Sequence, residues 1–311
     1  SWPVQTAFGS LELAEIRVAG ARIRVATLPG DPPADRAQLL RWIQANARAV
    51  AAVHGRFPVP HAQVLVVPIG RGGEPVPWAQ VNRGGGSGVH FFVNQTFPGD
   101  AFLADWTAAH ELAHLLLPFV RRSDAWLSEG FASYYQNVAR PRVGLLDAGT
   151  AWQKLYAGFR RGEASRPMTL REASGEMRRR GAYMRVYWSG AAIALIADVR
   201  LRLRSGGTES LDTVLGRLAD CCLPSSRRWD GPELLARLDT LGGNGIFMAE
   251  YDRWIDSRQF PDYRAAFETL GIETLGDELR YTPDQGARAL LDAIMMANEP
   301  SPGESAAASP P

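Results

Sequence analysis

The sequence predicts an α+β fold. It divides into a small mixed β-sheet over residues 1–100, a mostly α-helical region over 101–296 and a disordered tail at 297–311. Three observations carry this division. Before residue 100, segments alternate apolar and polar residues with the period of two that a half-buried strand requires. After it, apolar residues recur at the spacing of a helix face. The final stretch is rich in Pro, Ser and Ala and too poor in apolar bulk to bury a core of its own.

Taken in order, residues 11–28 read as a hairpin. Leu11-Glu12-Leu13-Ala14-Glu15-Ile16-Arg17-Val18 and Ala21-Arg22-Ile23-Arg24-Val25 flank Gly20. A helix is expected over 35–53, then buried strands over 62–68 and 88–94. The glycine runs at 70–73 and 84–88 lack a following Gly-Lys-Ser/Thr, so neither is a phosphate loop. The second is expected to be a flexible hairpin beside a cleft. The strand after it, residues 89–93, is expected at the sheet edge, where an extended peptide could pair with its main chain. Residues 101–117 read as one amphipathic helix, with Asp100 as N-cap and Pro118 just past its end. A second apolar helix is expected to begin near Ser128, and further helical periodicity covers 141–162, 186–204, 210–219, 232–240, 246–256 and 262–269.

The chain has 311 residues, is 46% hydrophobic and carries a net charge of +1, so no global field favours nucleic acid or an anionic membrane. Lys154 is the only Lys. The run Arg178-Arg179-Arg180 reads as a solvated loop. The apolar stretch at 186–199 is too short to span a bilayer and is interrupted by Ser189 and Asp198. Cys221 and Cys222 are adjacent; they are expected to stay unpaired because a bond between neighbours strains the intervening peptide.

The chemistry is concentrated in His110-Glu111-Leu112-Ala113-His114 and in Glu129, fifteen residues after the second His. On a helix, positions i and i+4 share one face, so both imidazoles can reach one ion. Glu111, rotated by about 100° from His110, sits beside the ion without occupying a ligand position. Two His and one Glu make a zinc site with an open fourth position, which is the mark of a catalytic site. One zinc ion per chain is therefore expected, held by His110, His114 and Glu129. Glu111 is expected to serve as the general base that takes a proton from the attacking water.

These segments, His110 to His114 followed by Trp126-Leu127-Ser128-Glu129-Gly130-Phe131-Ala132-Ser133-Tyr134-Tyr135, resemble the gluzincin metallopeptidases. The similarity covers roughly residues 80–275. The later segments Tyr187-Trp188-Ser189-Gly190, Ser210-Leu211-Asp212-Thr213-Val214-Leu215 and Phe260-Pro261-Asp262-Tyr263 look most like the PDZ-containing glycyl aminopeptidases. The resemblance implies a thermolysin-like helical lobe, with zinc in the cleft between it and the sheet-bearing lobe, and hydrolysis of peptide or protein substrates. It also implies a Tyr that stabilises the oxyanion; Tyr187 matches best and Tyr183 is the alternative. Ser133, one turn after Glu129, is expected to support that ligand. Relatives of this organisation tend to be exported, and the first residue Ser1 is compatible with a removed leader, so a periplasmic or secreted location is expected.

Three departures stand out. Only fourteen residues separate His114 from Glu129, no PDZ-like segment follows, and no Gly-x-Met-Glu-Asn segment precedes the motif. In the related aminopeptidases that last segment binds the substrate's free amine, so endopeptidase action stays open beside aminopeptidase action. A zinc-retaining scaffold without turnover is the alternative from another class, and the intact Glu111 counts against it.

Overall fold

The computed structural model describes residues 7–83 and 86–296. Strands β1 (Glu12–Val18) and β2 (Ala21–Thr27) form the expected hairpin. Its two loop residues, Ala19 (φ 42°) and Gly20 (φ 81°), take the positive φ that a tight two-residue hairpin turn needs. Asp35 caps helix α1 (Arg36–Ala51) by accepting the Gln38 N–H. The chain then crosses to β3 (His61–Pro68), parallel to β2. Strand β4 (Trp78–Asn82) and strand β5 (Gly88–Val93) follow, in the spatial order β1-β2-β3-β5-β4. One face of this sheet buries Ile23, Val25, Val64, Val66, Val89 and Phe91. Trp42 of α1 seals it, with its ring 4.8 Å from that of Phe91.

The topology corrects one expectation. β5 lies inside the sheet between β3 and β4, so residues 89–93 are not an edge. The edge on this side is β4, a five-residue strand among prolines and glycines that carries too little alternation to read from sequence. Of the glycine run at 84–88, residues 84 and 85 lie outside the described residues.

A second correction concerns the helix expected over 101–117. It is two helices, α2 (Gly99–Ala104) and α3 (Thr107–Ala113), the latter continued by a 3₁₀ turn at His114–Leu116. Asp105 adopts extended backbone (ψ 142°), and its carboxylate accepts the Thr107 N–H at 2.8 Å. This side chain competes with the helical ladder and restarts the helix. The N-cap of α2 is Pro98, with Asp100 inside the first turn.

Helix α4 (Ala125–Val138) begins three residues earlier than expected, which places Glu129 in its second turn. Then come α5 (Ala148–Glu163), α6 (Leu170–Arg180), α7 (Tyr183–Ser205), α8 (Leu211–Cys222), α9 (Gly231–Leu238), α10 (Ile246–Trp254) and α11 (Arg264–Thr269). A small hairpin, β6 (Ile272–Leu275) with β7 (Glu278–Tyr281), and α12 (Gln285–Met295) complete the described chain. Helix α6 escaped the periodicity because it buries only Leu170, Ala173 and Ser174. Residues 297–311, expected as a disordered tail, lie outside the described residues. Among the described residues no helix is long and apolar enough to cross a membrane.

The adjacent cysteines are also corrected: Cys221 and Cys222 are joined as a disulfide at the C-terminal end of α8. The bridge links neighbours only, so it staples no distant segments together.

Helices α4 and α7 cross at two glycines. A Cβ on Gly130 would lie 2.3 Å from the Gly190 Cα, and one on Gly190 would lie 2.0 Å from the Trp126 carbonyl oxygen. Beyond the crossing, buried polar pairs fix the register. Tyr134 donates to Asp198 and Tyr135 to Asp212, each at 2.8 Å. Asp198 also accepts the first N–H of α8, at Leu211. Arg142 is fully buried and salt-bridged to Asp212 at 2.9 Å; it donates to the carbonyls of Ala52 and Ile294 as well.

His54, just past α1, has both ring nitrogens buried without a hydrogen-bond partner. Burial first, and the Arg56 charge second, push its pKa down to about 4 from 6.5. The unfolded chain therefore takes up a proton that the folded chain refuses between those values. Stability is fully present above pH 6.5 and is lost as pH falls toward 4, by at most about 3 kcal/mol. We expect thermal denaturation at pH 7 and pH 5 to show a larger loss for the wild type than for His54→Leu. Equal slopes would rule out His54 as the source.

Candidate metal centre

Helix α3 and its 3₁₀ extension place His110 and His114 one turn apart, with the His114 N–H donating to the His110 carbonyl. The α4–α7 crossing holds α4 against them so that Glu129 faces both rings. Glu129 Oε2 lies 3.3 Å from His110 Nε2 and 3.5 Å from His114 Nε2. Ligands about 2.0–2.1 Å from a tetrahedral zinc are separated from one another by about 3.3 Å. Glu129 Oε2 thus stands from each imidazole nitrogen at about the spacing such an ion requires, and the two-imidazole, one-carboxylate set fits zinc chemically. Donor atoms of Glu111 and the two imidazoles also fall within 4.8 Å of one another. Glu129 completes the ligand spacing, and Glu111 borders the same space from α3.

The imidazoles are oriented from behind. His110 Nδ1 pairs with Gln136 Oε1 at 2.8 Å, and His114 Nδ1 pairs with Ser128 Oγ at 3.0 Å. With Nδ1–H donating in each case, both Nε2 lone pairs face the centre. Sequence reasoning missed these two residues. Gln136 follows Glu129 by two helical turns and shares its face of α4, which is the signal that could have found it. Ser133 does not play the expected supporting part: it is 1% exposed and forms no hydrogen bond with Glu129. We expect Gln136→Leu to weaken zinc affinity about 10–100-fold, read by chelator competition. Unchanged affinity would show that the Gln136 bond does not orient the ligand.

The electrostatics follow from crowding four ionisable groups in a buried space. Burial opposes charge on Glu129, yet the two imidazoles beside it outweigh this and hold its pKa well below the usual carboxylate range. Burial raises Glu111, and the neighbouring imidazoles only partly offset that. Burial works against the His110 cation, but Glu129 and Glu111 raise its pKa overall. Tyr187, at the start of α7, stacks on the His110 ring with centroids 5.7 Å apart and planes inclined by 15°. Burial and then the Glu129 carboxylate raise its pKa, keeping the phenol protonated and able to donate. Tyr183 lies one ring further out, 6.4 Å from Tyr187 and 39% exposed, so the structure brings Tyr187 to the centre and leaves Tyr183 at its border.

The β4 edge of the sheet reaches the same place. Arg83, directly after β4, donates to the carbonyls of His114 at 2.7 Å and Leu117 at 3.0 Å. Its guanidinium ties the edge strand to the end of the histidine-bearing helix. His90 on β5 sits against Asn82 of β4, 3.1 Å from its amide, as part of the sheet.

No family model matches the chain, and no curated protein matches it. Solved structures do. An aminopeptidase N family protein from Idiomarina loihiensis aligns with a TM-score of 0.65 and 16% identity, over 85% of this chain and 50% of its own. An M1 zinc metallopeptidase variant from Deinococcus radiodurans, bound to a Tyr-Ser-Ala substrate, aligns with a TM-score of 0.53 and 18% identity, over 82% and 54%. The M1 zinc metallopeptidase of the same organism gives 0.51 and 19%, over 81% and 54%. The chain thus spans about half the length of these proteins. The likeness is one of fold: a small N-terminal sheet followed by a helical part, resembling M1 aminopeptidase domains.

Proposed function

We propose that this protein is a zinc-dependent metallopeptidase. The observation that carries the proposal is the convergence of His110 Nε2, His114 Nε2 and Glu129 Oε2 at 3.3 and 3.5 Å, with Glu111 beside them. Zinc, when bound there, supplies Lewis acidity that acidifies water and polarises a carbonyl. Glu111 accepts the proton of the attacking water and delivers it to the leaving amine. Its raised pKa suits it to hold that proton between the two steps. Tyr187, stacked on His110, donates its hydroxyl hydrogen to the oxyanion that develops on the scissile carbonyl. The β4 edge binds an extended peptide through its main chain, and Arg83 keeps that edge in register with the histidines.

Tyr187→Phe is expected to lower kcat about 100-fold or more with zinc content unchanged. An equal kcat would move the oxyanion role elsewhere, with Tyr183→Phe as the next variant.

Aminopeptidase action is the first form of the proposal, in line with the fold likeness and with the resemblance of the later segments to glycyl aminopeptidases. Internal cleavage is the second, favoured by the lack of a Gly-x-Met-Glu-Asn segment in the sequence. A peptide library with free and with acetylated N-termini, digested by zinc-loaded protein and read by mass spectrometry, separates them. Loss of single residues from free peptides alone establishes an aminopeptidase, and internal cuts in both sets establish an endopeptidase. Absence of chelator-sensitive cleavage overturns the peptidase reading in favour of a zinc-retaining scaffold.

A further inference from the structure

The centre is bordered by aromatic surface that neither metal binding nor proton transfer uses. Trp106 occupies the position four residues before His110, so Trp106, His110 and His114 form one stripe along α3. The Trp106 ring meets the His110 ring edge-on with centroids 5.5 Å apart. His110 is 2% exposed, whereas Trp106, one turn outward, is 42% exposed. The same step occurs on α7. Tyr187 covers the His110 ring, and Tyr183, one turn outward, contacts Tyr187 and stays 39% exposed beside Met184 at 38%. Two helices therefore each carry a ring inward to His110 and leave a large apolar side chain open next to it. Most large apolar side chains of the described chain are buried, so leaving Trp106 and Tyr183 open around one centre is unfavourable unless something covers them during function.

The side chains also set the chemistry of what covers them. The nearest carboxylates, Glu111 and Glu129, are engaged with the imidazoles. The guanidinium of Arg83, bound to the His114 carbonyl, is committed to two backbone carbonyls. What these contacts leave beside the centre is aromatic surface, from Trp106 and Tyr183.

We propose that Trp106 and Tyr183 are the specificity-determining walls beside the centre. The substrates are then peptides with a large apolar or aromatic residue next to the scissile bond. This rests on the peptidase reading and adds the class of substrate to it. Covering an exposed indole and phenol with an apolar side chain removes all three surfaces from water, and an acidic side chain in the same place loses its hydration without a partner. A hydrophobic pocket discriminates by about 10–200-fold per methylene-scale difference in fit, which sets the size of the effect.

The test uses zinc-loaded full-length protein and a peptide series with Phe, Leu, Ala, Gly, Asp or Arg on either side of one bond. We expect kcat/KM for Phe and Leu to exceed that for Gly and Asp by about tenfold or more. Trp106→Ala or Tyr183→Ala should shrink that ratio, chiefly through KM, while Trp106→Phe restores it. A binding measurement independent of turnover accompanies this. The Glu111→Gln protein, loaded with zinc, is titrated with the Phe peptide, and adding Trp106→Ala should weaken Kd about tenfold. Chelator-sensitive cleavage with no apolar preference, with preference for Gly or Arg, or with a preference indifferent to both walls overturns the proposal. Were no peptide cleaved, the peptidase reading would fall, and the titration would still decide whether the aromatic walls hold apolar peptides.

Discussion

Glu111→Gln is expected to lose peptide hydrolysis by about 1,000-fold or more while keeping its zinc. The substitution preserves side-chain volume and the α3 backbone, and removes only the group that can take a proton. Glu129 Oε2, not Glu111, stands at ligand spacing from both imidazoles, so metal content measured by plasma emission should stay at the wild-type level. The pairing of these two readouts is what makes the test discriminating. Loss of zinc along with activity would make Glu111 a ligand, and turnover within tenfold of wild type would end its assignment as the base. Glu129→Gln should do the reverse and lose metal first.

The second large effect lies away from the chemistry. Gly190→Ala should destabilise the protein by about 3 kcal/mol, the upper end of what overpacking costs. The new methyl would stand 2.0 Å from the Trp126 carbonyl oxygen and 2.7 Å from the Gly130 Cα. Both obstacles are backbone, so no rotamer change relieves the clash, and α4 and α7 must separate. Glu129 adjoins Gly130 and Tyr187 precedes Gly190 by less than one turn, so separation moves a ligand away from the phenol above it. Thermal denaturation should show a drop in Tm, and chelator competition a loss of zinc affinity. Ser189→Ala is the control, because the Ser189 hydroxyl is buried with no hydrogen-bond partner and its removal leaves nothing orphaned. A Gly190→Ala protein as stable as wild type would mean that the helices cross less closely than they do here.

What the sequence made legible was chemistry that repeats along one chain segment. His110 and His114 could be paired because helical spacing alone puts them on one face, and Glu129 followed from the ligand set that such a pair needs. The α+β division was legible for the same reason, since strand and helix periods differ over a few residues. Contacts made across elements were not. Ser128 and Gln136 meet the imidazoles only because α4 packs on α3, and Ser133, equally plausible by spacing, faces the core instead. The break at Asp105 turns on one side chain capturing one N–H, which periodicity does not register. The sheet edge was misplaced because strand order depends on which strand inserts between two others, and β4 is too short to announce itself.

Arg142 bears on how this protein comes apart. One guanidinium, with its side chain shut away from solvent, is shared by the carbonyl at the end of α1, the carbonyl of Ile294 in α12 and the Asp212 carboxylate of α8. Releasing any one of the three strands a buried cation with part of its coordination gone, a cost of several kcal/mol. Helix α12, the last among the described residues, is therefore not free to fray. Its central amides should exchange with solvent on the timescale of those in α1 and α8, as one cooperative unit drawn from distant parts of the sequence.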